Sequence, residues 1–148
     1  MTREVRRAIL ATPRDPLLTL ARWVLALVMF PHGAQKLLGW FGGPGFGPTL
    51  VYFDSLGLPG ILTALVVIAE FGGALALLVG LFSRVAALGI ALTLTGAALI
   101  VHLPNGFFMN WSGTSPGEGF EYHVLAVALA TLVAVRGGGA FSVDRALR

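Results

Sequence analysis

The stretch from Pro59 to Arg84, PGILTALVVIAEFGGALALLVGLFSR, constrains this chain more than any other. It is apolar over a membrane-crossing length yet carries one carboxylate, Glu70, near its middle. An ionised acid at that depth costs about 2.5–3.5 kcal/mol on insertion scales, so it has to be paired, protonated or reached by water. Any fold open to this sequence must therefore bring something polar to Glu70.

The remaining composition agrees with a membrane setting. Hydrophobic residues make up 56% of the chain and charged residues 11%, whereas soluble domains carry about a quarter charged residues. The net charge of +3 does not imply nucleic-acid binding, because the basic residues sit at the ends of hydrophobic segments rather than in a patch. Cysteine is absent. Redox chemistry in this chain would therefore run through a bound organic cofactor, a histidine-held metal or haem, or a partner, and not through thiols or iron–sulfur ligation.

Hydropathy predicts an all-α integral membrane four-helix bundle spanning 17–136, with spans over about 17–40, 60–82, 85–103 and 120–135. A basic segment, 1–16, precedes it as either a surface helix or a frayed end, and a short basic tail, 137–148, follows. The loops between spans one and two, and between three and four, contain no Lys or Arg beyond Lys36 at the end of span one. The positive-inside rule then places both termini in the cytoplasm. Arg22, just inside span one, is expected to snorkel to the inner headgroups. Pro31 removes an N–H from span one and should kink it. The segment 39–60 reads as an interfacial loop, with Trp40, Phe41, Phe46, Tyr52 and Phe53 as its aromatic belt.

The ionisable residues within the spans are distributed unevenly. A rise of about 1.5 Å per residue puts His32, Lys36, Glu70, His102 and His123 in the outer half, and only Arg22 in the inner half. This pattern points to a polar pocket facing outward, with Glu70 at its floor and Lys36 or His32 as its partner. His102, His123, Glu121, Trp40 and Asn105 would line or rim it. The plainer reading is a satisfied network that fixes helix register, with Glu118 and Glu121 simply at the interface. His32, His102 and His123 from three helices could also hold a transition metal, although no H-x₃-H or E-x-x-H pair occurs. Gly72, Ala76 and Gly80, with Gly73 beside them, form a small-residue ridge for close helix packing, and Ala126 and Ala130 form another on span four.

Four motifs carry a family resemblance: HGAQKLLGWFGG (32–43), AEFGGALALLVGLFSR (69–84), GEGFEYHVL (117–125) and GGGAFSVD (137–144). Together they resemble the DoxX family of small four-helix membrane proteins, over nearly the whole chain from span one onward. The resemblance implies a four-span bundle in the bacterial cytoplasmic membrane. It also implies association with quinone-linked oxidoreductase or oxidative-stress complexes. It makes His32, Lys36, Glu70, Arg84, Glu118, Glu121 and His123 the recurrent polar positions.

Three functions stay open at this point. One is a quinone-linked redox component whose pocket holds a quinone or small reductant. Another is a non-catalytic membrane subunit or scaffold that docks a redox-enzyme partner or a second copy of itself. The third is a proton-coupled transporter, against which counts the lack of any ionisable residue between Glu70 and the inner face other than Arg22.

Overall fold

The computed structural model describes residues 3–148, and among these every regular element is helical. Helix α1 covers Arg3–Leu10, α2 covers Pro16–Leu38 and α3 covers Phe46–Ser55. Two long helices follow, α4 over Gly60–Val79 and α5 over Ser83–Asn105. Helix α6 covers Glu121–Arg136, and a single turn, α7, covers Val143–Ala146.

Three helices are long and apolar enough to cross a membrane: α2 with 23 residues, α4 with 20 and α5 with 23. Helix α6 has 16 residues and packs against α2 and α5. The shared core gathers Leu25 and Met29 of α2, Ala74 and Leu77 of α4, Ile90 of α5, and Ala126, Ala130 and Val133 of α6. Facing outward are Leu27, Leu65, Leu92 and Leu125, exposed by 64%, 52%, 66% and 70%. Such a belt around the bundle is what a hydrocarbon solvent selects and water penalises.

Local chemistry explains most element ends. Asp15 caps α2 by accepting hydrogen bonds from the Leu17 and Leu18 amides, and Pro16 sits at the first helical position, where its missing N–H costs nothing. Helix α2 runs unbroken through Pro31. Helix α4 ends at Gly80, whose left-handed φ of 74° lets its amide and that of Leu81 return to the Ala76 carbonyl.

Several sequence expectations are corrected here. The segment 39–60 is not simply a loop, because α3 folds within it. Pro48 lies in the first turn of that helix, where proline is tolerated. The turn between α4 and α5 falls before Ser83, which already begins α5. Gly72 is not part of a buried packing ridge: it is exposed, and a methyl there would meet only the Ile68 side chain at 4.0 Å. Gly80 serves as the helix cap and packs on Ser142. The face of α4 that enters the bundle carries Glu70, Gly73, Ala74 and Leu77, with Ala76 half-buried at its edge.

Arg22 is the largest correction. It does not reach the headgroups but is fully buried. Its Nε donates to the Gly138 carbonyl at 2.9 Å and its Nη2 to the Phe141 carbonyl at 2.6 Å. Its Nη1 donates to the carbonyls of Leu77 and Leu78, the orphan acceptors at the C-terminus of α4. The tail is thus part of the bundle, not an appendage. Asp144 completes the arrangement, its two oxygens accepting from the Phe82 and Ser83 amides at 2.6 and 2.8 Å. The three glycines 137–139 make this docking possible. A β-carbon on them would come within 2.5 Å of the Ala11 carbonyl oxygen, 2.4 Å of Ser83 Oγ and 2.5 Å of the Thr19 amide, respectively.

Candidate functional site

Gly33 is where the site begins. A β-carbon there would lie 2.5 Å from the Phe71 amide nitrogen and 2.8 Å from the Glu70 carbonyl carbon, so α2 crosses α4 with the two backbones in contact. One turn further along α2, on the same face, stands Lys36. Its Nζ lies 2.6 Å from Glu70 Oε2. The Glu70 side chain is 6% exposed and that of Lys36 26%, so the acid is enclosed while its partner keeps some access to the outside. This is the one salt bridge among the described residues. The demand that the buried carboxylate places on the fold is met by direct pairing.

The backbone at Glu70 is itself unusual. Helix α4 is α-helical over Gly60–Val67, π-helical over Ile68–Gly72 and α-helical again over Gly73–Val79. Single-turn π segments are rare and concentrate at functional sites. A second one, Ala98–His102, ends α5. Both widened turns carry a polar side chain that the sequence singles out, Glu70 in one and His102 in the other.

Rings link the two. His32 faces Tyr122 at 6.0 Å between centroids, Tyr122 faces His123 at 5.3 Å, and His123 faces His102 at 4.2 Å. This file crosses from α2 through α6 to α5. His102 Nδ1 donates to the Glu118 carbonyl at 2.9 Å, because a carbonyl oxygen can only accept. His123 is buried, and its Nδ1 has no hydrogen-bond partner among the described residues. An orphaned buried ring nitrogen is uncommon enough to mark a place where a ligand atom or water would be held. A groove of about 340 Å³ opens beside it between α5 and α6, lined by Thr95, Ala98, Leu99, His123, Val124 and Val127 among others. Neither Glu70 nor Lys36 lines this groove.

The remaining expected site residues have other tasks or positions. His32 is exposed, and it contacts the Tyr122 ring rather than hydrogen-bonding Glu70. Trp40 is 54% exposed, on the loop after α2. Asn105 donates to the carbonyls of Val101 and Glu118, tying the end of α5 to the loop before α6. Glu121 accepts from the Met109 amide at 3.1 Å and Glu118 from the Asn110 amide at 2.7 Å. These two acids organise the loop 106–119 instead of lying free. The three-histidine metal alternative is not assembled: among the described residues no group of three His, Cys, Asp or Glu side chains is placed to hold an ion.

Two contributors escape a reading of the sequence. Tyr122 is the middle ring of the file and also reaches the Met29 sulfur, its hydroxyl 3.7 Å from Sδ. Helix α3 folds over the end of α2, where buried Thr49 donates to the Gly45 carbonyl at 2.7 Å and approaches the Lys36 carbonyl at 3.4 Å. The aromatic residue beside His123 in GEGFEYHVL was available as a signal for the first. Nothing in the composition of 39–60 distinguishes the second from a loop.

Known proteins resemble this chain along most of its length. The profile of the DoxX family matches residues 17–103. "Inner membrane protein YqjF" of Escherichia coli is 34% identical over 110 residues, covering 74% of this chain and 79% of the relative. "Inner membrane protein YphA" of the same organism is 28% identical over 137 residues, covering 89% and 91%. "Putative oxidoreductase CatD" of Bacillus subtilis is 32% identical over 91 residues, covering 62% and 63%. No solved structure matches. The matched region takes in α2, α4 and α5 with the Lys36–Glu70 pair between them, and the chain belongs to the DoxX family of membrane proteins.

Proposed function

We propose that this protein is a quinone-linked redox component of the bacterial inner membrane, a four-span bundle with both termini in the cytoplasm. The working region lies in its outer half. The observation that carries the reading is the enclosed Lys36–Glu70 pair, whose acid sits in a π turn at the helix crossing. Beside it a file of rings runs from His32, one turn before Lys36 on α2, to a histidine with an unpartnered buried nitrogen. A similarity to a protein whose name includes oxidoreductase supports the redox class.

Quinone reduction takes up two electrons and two protons and leaves a quinol. In this reading a small reduced donor or a partner subunit gives the electrons. The quinone ring enters from the lipid through the apolar groove between α5 and α6, and His123 binds one of its oxygens. Lys36 and Glu70 do not line this groove, so in this reading their part is to pass protons towards the histidines rather than to touch the quinone. The sixteen residues of α6 rise only about 24 Å, so in this reading the fourth crossing is completed by local thinning of the bilayer around that helix.

Purified protein in liposomes with a long-chain quinone tests this. Wild type should bind a quinone analogue and support its reduction by a small donor. Glu70→Gln should lose at least about tenfold in rate while its melting curve stays cooperative. Absence of quinone binding by the wild-type protein would remove the reading. A second reading, a non-catalytic subunit that docks a partner, draws support from the outer loop, where Phe108 and Trp111 are 76% and 88% exposed. A stoichiometric partner whose activity survives Glu70→Gln would favour it.

A further inference from the structure

Charge is separated along this molecule more sharply than its net value of +3 suggests. Every Lys and Arg except Lys36 belongs to the end of the bundle that holds both termini and the α4–α5 turn, against only Glu4, Asp15 and Asp144. Two of those acids are spent on backbone amides, Asp15 capping α2 and Asp144 capping the start of α5.

Within this end lies a concavity of about 300 Å³, lined by Arg84, Arg136, Arg148 and the linker residues Ala11, Thr12 and Pro13, with Val135 at its side. The three arginines come from the start of α5, the end of α6 and the C-terminal tail. Arg84 is braced by donating from Nε to the Ala11 carbonyl at 2.9 Å and from Nη1 to the Ala134 carbonyl at 3.4 Å. Arg148 donates to the Thr12 carbonyl at 3.4 Å. Arg136 is exposed, and none of the three has a carboxylate partner among the described residues. Three cations gathered around one hollow repel one another unless an anion sits among them. Guanidinium forks suit a phosphate in charge, in planarity and in their light hydration.

The surroundings select the kind of phosphate. Arg84 and Arg136 stand at helix ends, the depth of the headgroups in a membrane protein. Directly inward of them are the exposed apolar side chains Val85, Leu88 and Val135, 53%, 52% and 62% accessible, on which acyl chains would lie. Helix α1, with Leu10 buried and Val5 48% exposed, packs against the start of α5 as an interfacial helix would.

We propose that this hollow is a binding site for the phosphate of an anionic phospholipid in the leaflet on the side of the termini. The lipid fastens α1, α5, α6 and the tail to one another. The site is separate from the Lys36–Glu70 region and stands whether or not the protein handles quinones.

The test is native mass spectrometry of the detergent-extracted full chain, titrated separately with phosphatidylglycerol, phosphatidylcholine and inorganic phosphate. Wild type should retain phosphatidylglycerol about tenfold or more over phosphatidylcholine at equal concentration. Arg136→Gln/Arg148→Gln should bring the two lipids level. Arg14→Gln/Arg145→Gln, which removes the same charge at two arginines that do not line the hollow, should leave the preference intact. Arg136→Lys/Arg148→Lys keeps the charge and removes the forks, so it should weaken the preference part-way even if the glutamine variant folds poorly. Equal retention of the two lipids by wild type would overturn the proposal. Equal losses in both glutamine variants would also overturn it, as would inorganic phosphate displacing the lipid at similar concentration, which would make this a free-ion site.

Discussion

Replacing Arg22 by glutamine tests how the end of the bundle that holds both termini is built. The guanidinium meets four backbone carbonyls, those of Leu77, Leu78, Gly138 and Phe141, with no water access. A glutamine amide is shorter and has two donors, so at least two of the four acceptors would be left unsatisfied. Leaving a buried acceptor bare costs about 1–3 kcal/mol. The expected loss is therefore roughly 3–5 kcal/mol, comparable to breaking a buried charged contact. Because two of the carbonyls belong to the tail, the loss should appear first as opening of 137–144. Hydrogen exchange in nanodiscs reads this directly. The amides of Ala140, Phe141 and Asp144 bond to the Asp15 carbonyl, Thr19 Oγ1 and the Gly80 carbonyl, and should be protected in the wild type. In the variant they should exchange about a hundredfold to several thousandfold faster, since 1.4 kcal/mol corresponds to a factor of ten. A snorkelling arginine would instead behave as a surface residue, with a change within about 0.5 kcal/mol. Unchanged protection of these three amides would refute the capping role.

Other substitutions probe the remaining contacts. Gly33→Ala places a methyl against the backbone at Phe71 and should force α2 from α4 by about 1 Å, destabilising by about 1–3 kcal/mol or more. A melting midpoint equal to wild type would mean the two backbones do not touch. Asp144→Asn removes the charge from two short hydrogen bonds at the start of α5 and should cost about 1–2 kcal/mol. Faster exchange at Phe82 and Ser83 is the check, and its absence would count against the cap. Glu118→Gln with Glu121→Gln weakens two acceptors that hold the loop 106–119, so limited proteolysis there should speed up severalfold while the core stays protected. An unaltered cleavage rate would show the loop is held by other contacts.

What the sequence made legible, and what it hid, follows from the range of the forces involved. The long apolar helices could be read because a membrane span is a local requirement on hydropathy. That Glu70 meets a basic group of α2 could be read because a buried acid needs a cation and only Lys36 and His32 lie near that depth; the choice of Lys36 came from the fold. Arg22 was misplaced for the opposite reason. Its neighbours in sequence suggest an interface, and the carbonyls that bury it come from residues 116 and 119 positions away. The π turns at Glu70 and His102 arise from packing, so no local pattern announces them. Helix α3 hides in a glycine- and proline-rich stretch that reads as irregular. Gly72 and Ala76 looked like a packing ridge because they are small. The bundle instead buries the neighbouring face, whose register is set by Glu70 meeting its lysine.

A charge-swap experiment, Lys36→Glu combined with Glu70→Lys, puts that pair to the most direct trial. Each single reversal sets like charges against each other in an enclosed site and should cost several kcal/mol, whereas the double variant restores attraction and should recover most of the melting temperature. If the pair is a working centre, the refolded double variant stays inactive in quinone reduction, because acid and cation now stand in exchanged places relative to the rings. Recovery of turnover together with stability would show that the pair only holds two helices together.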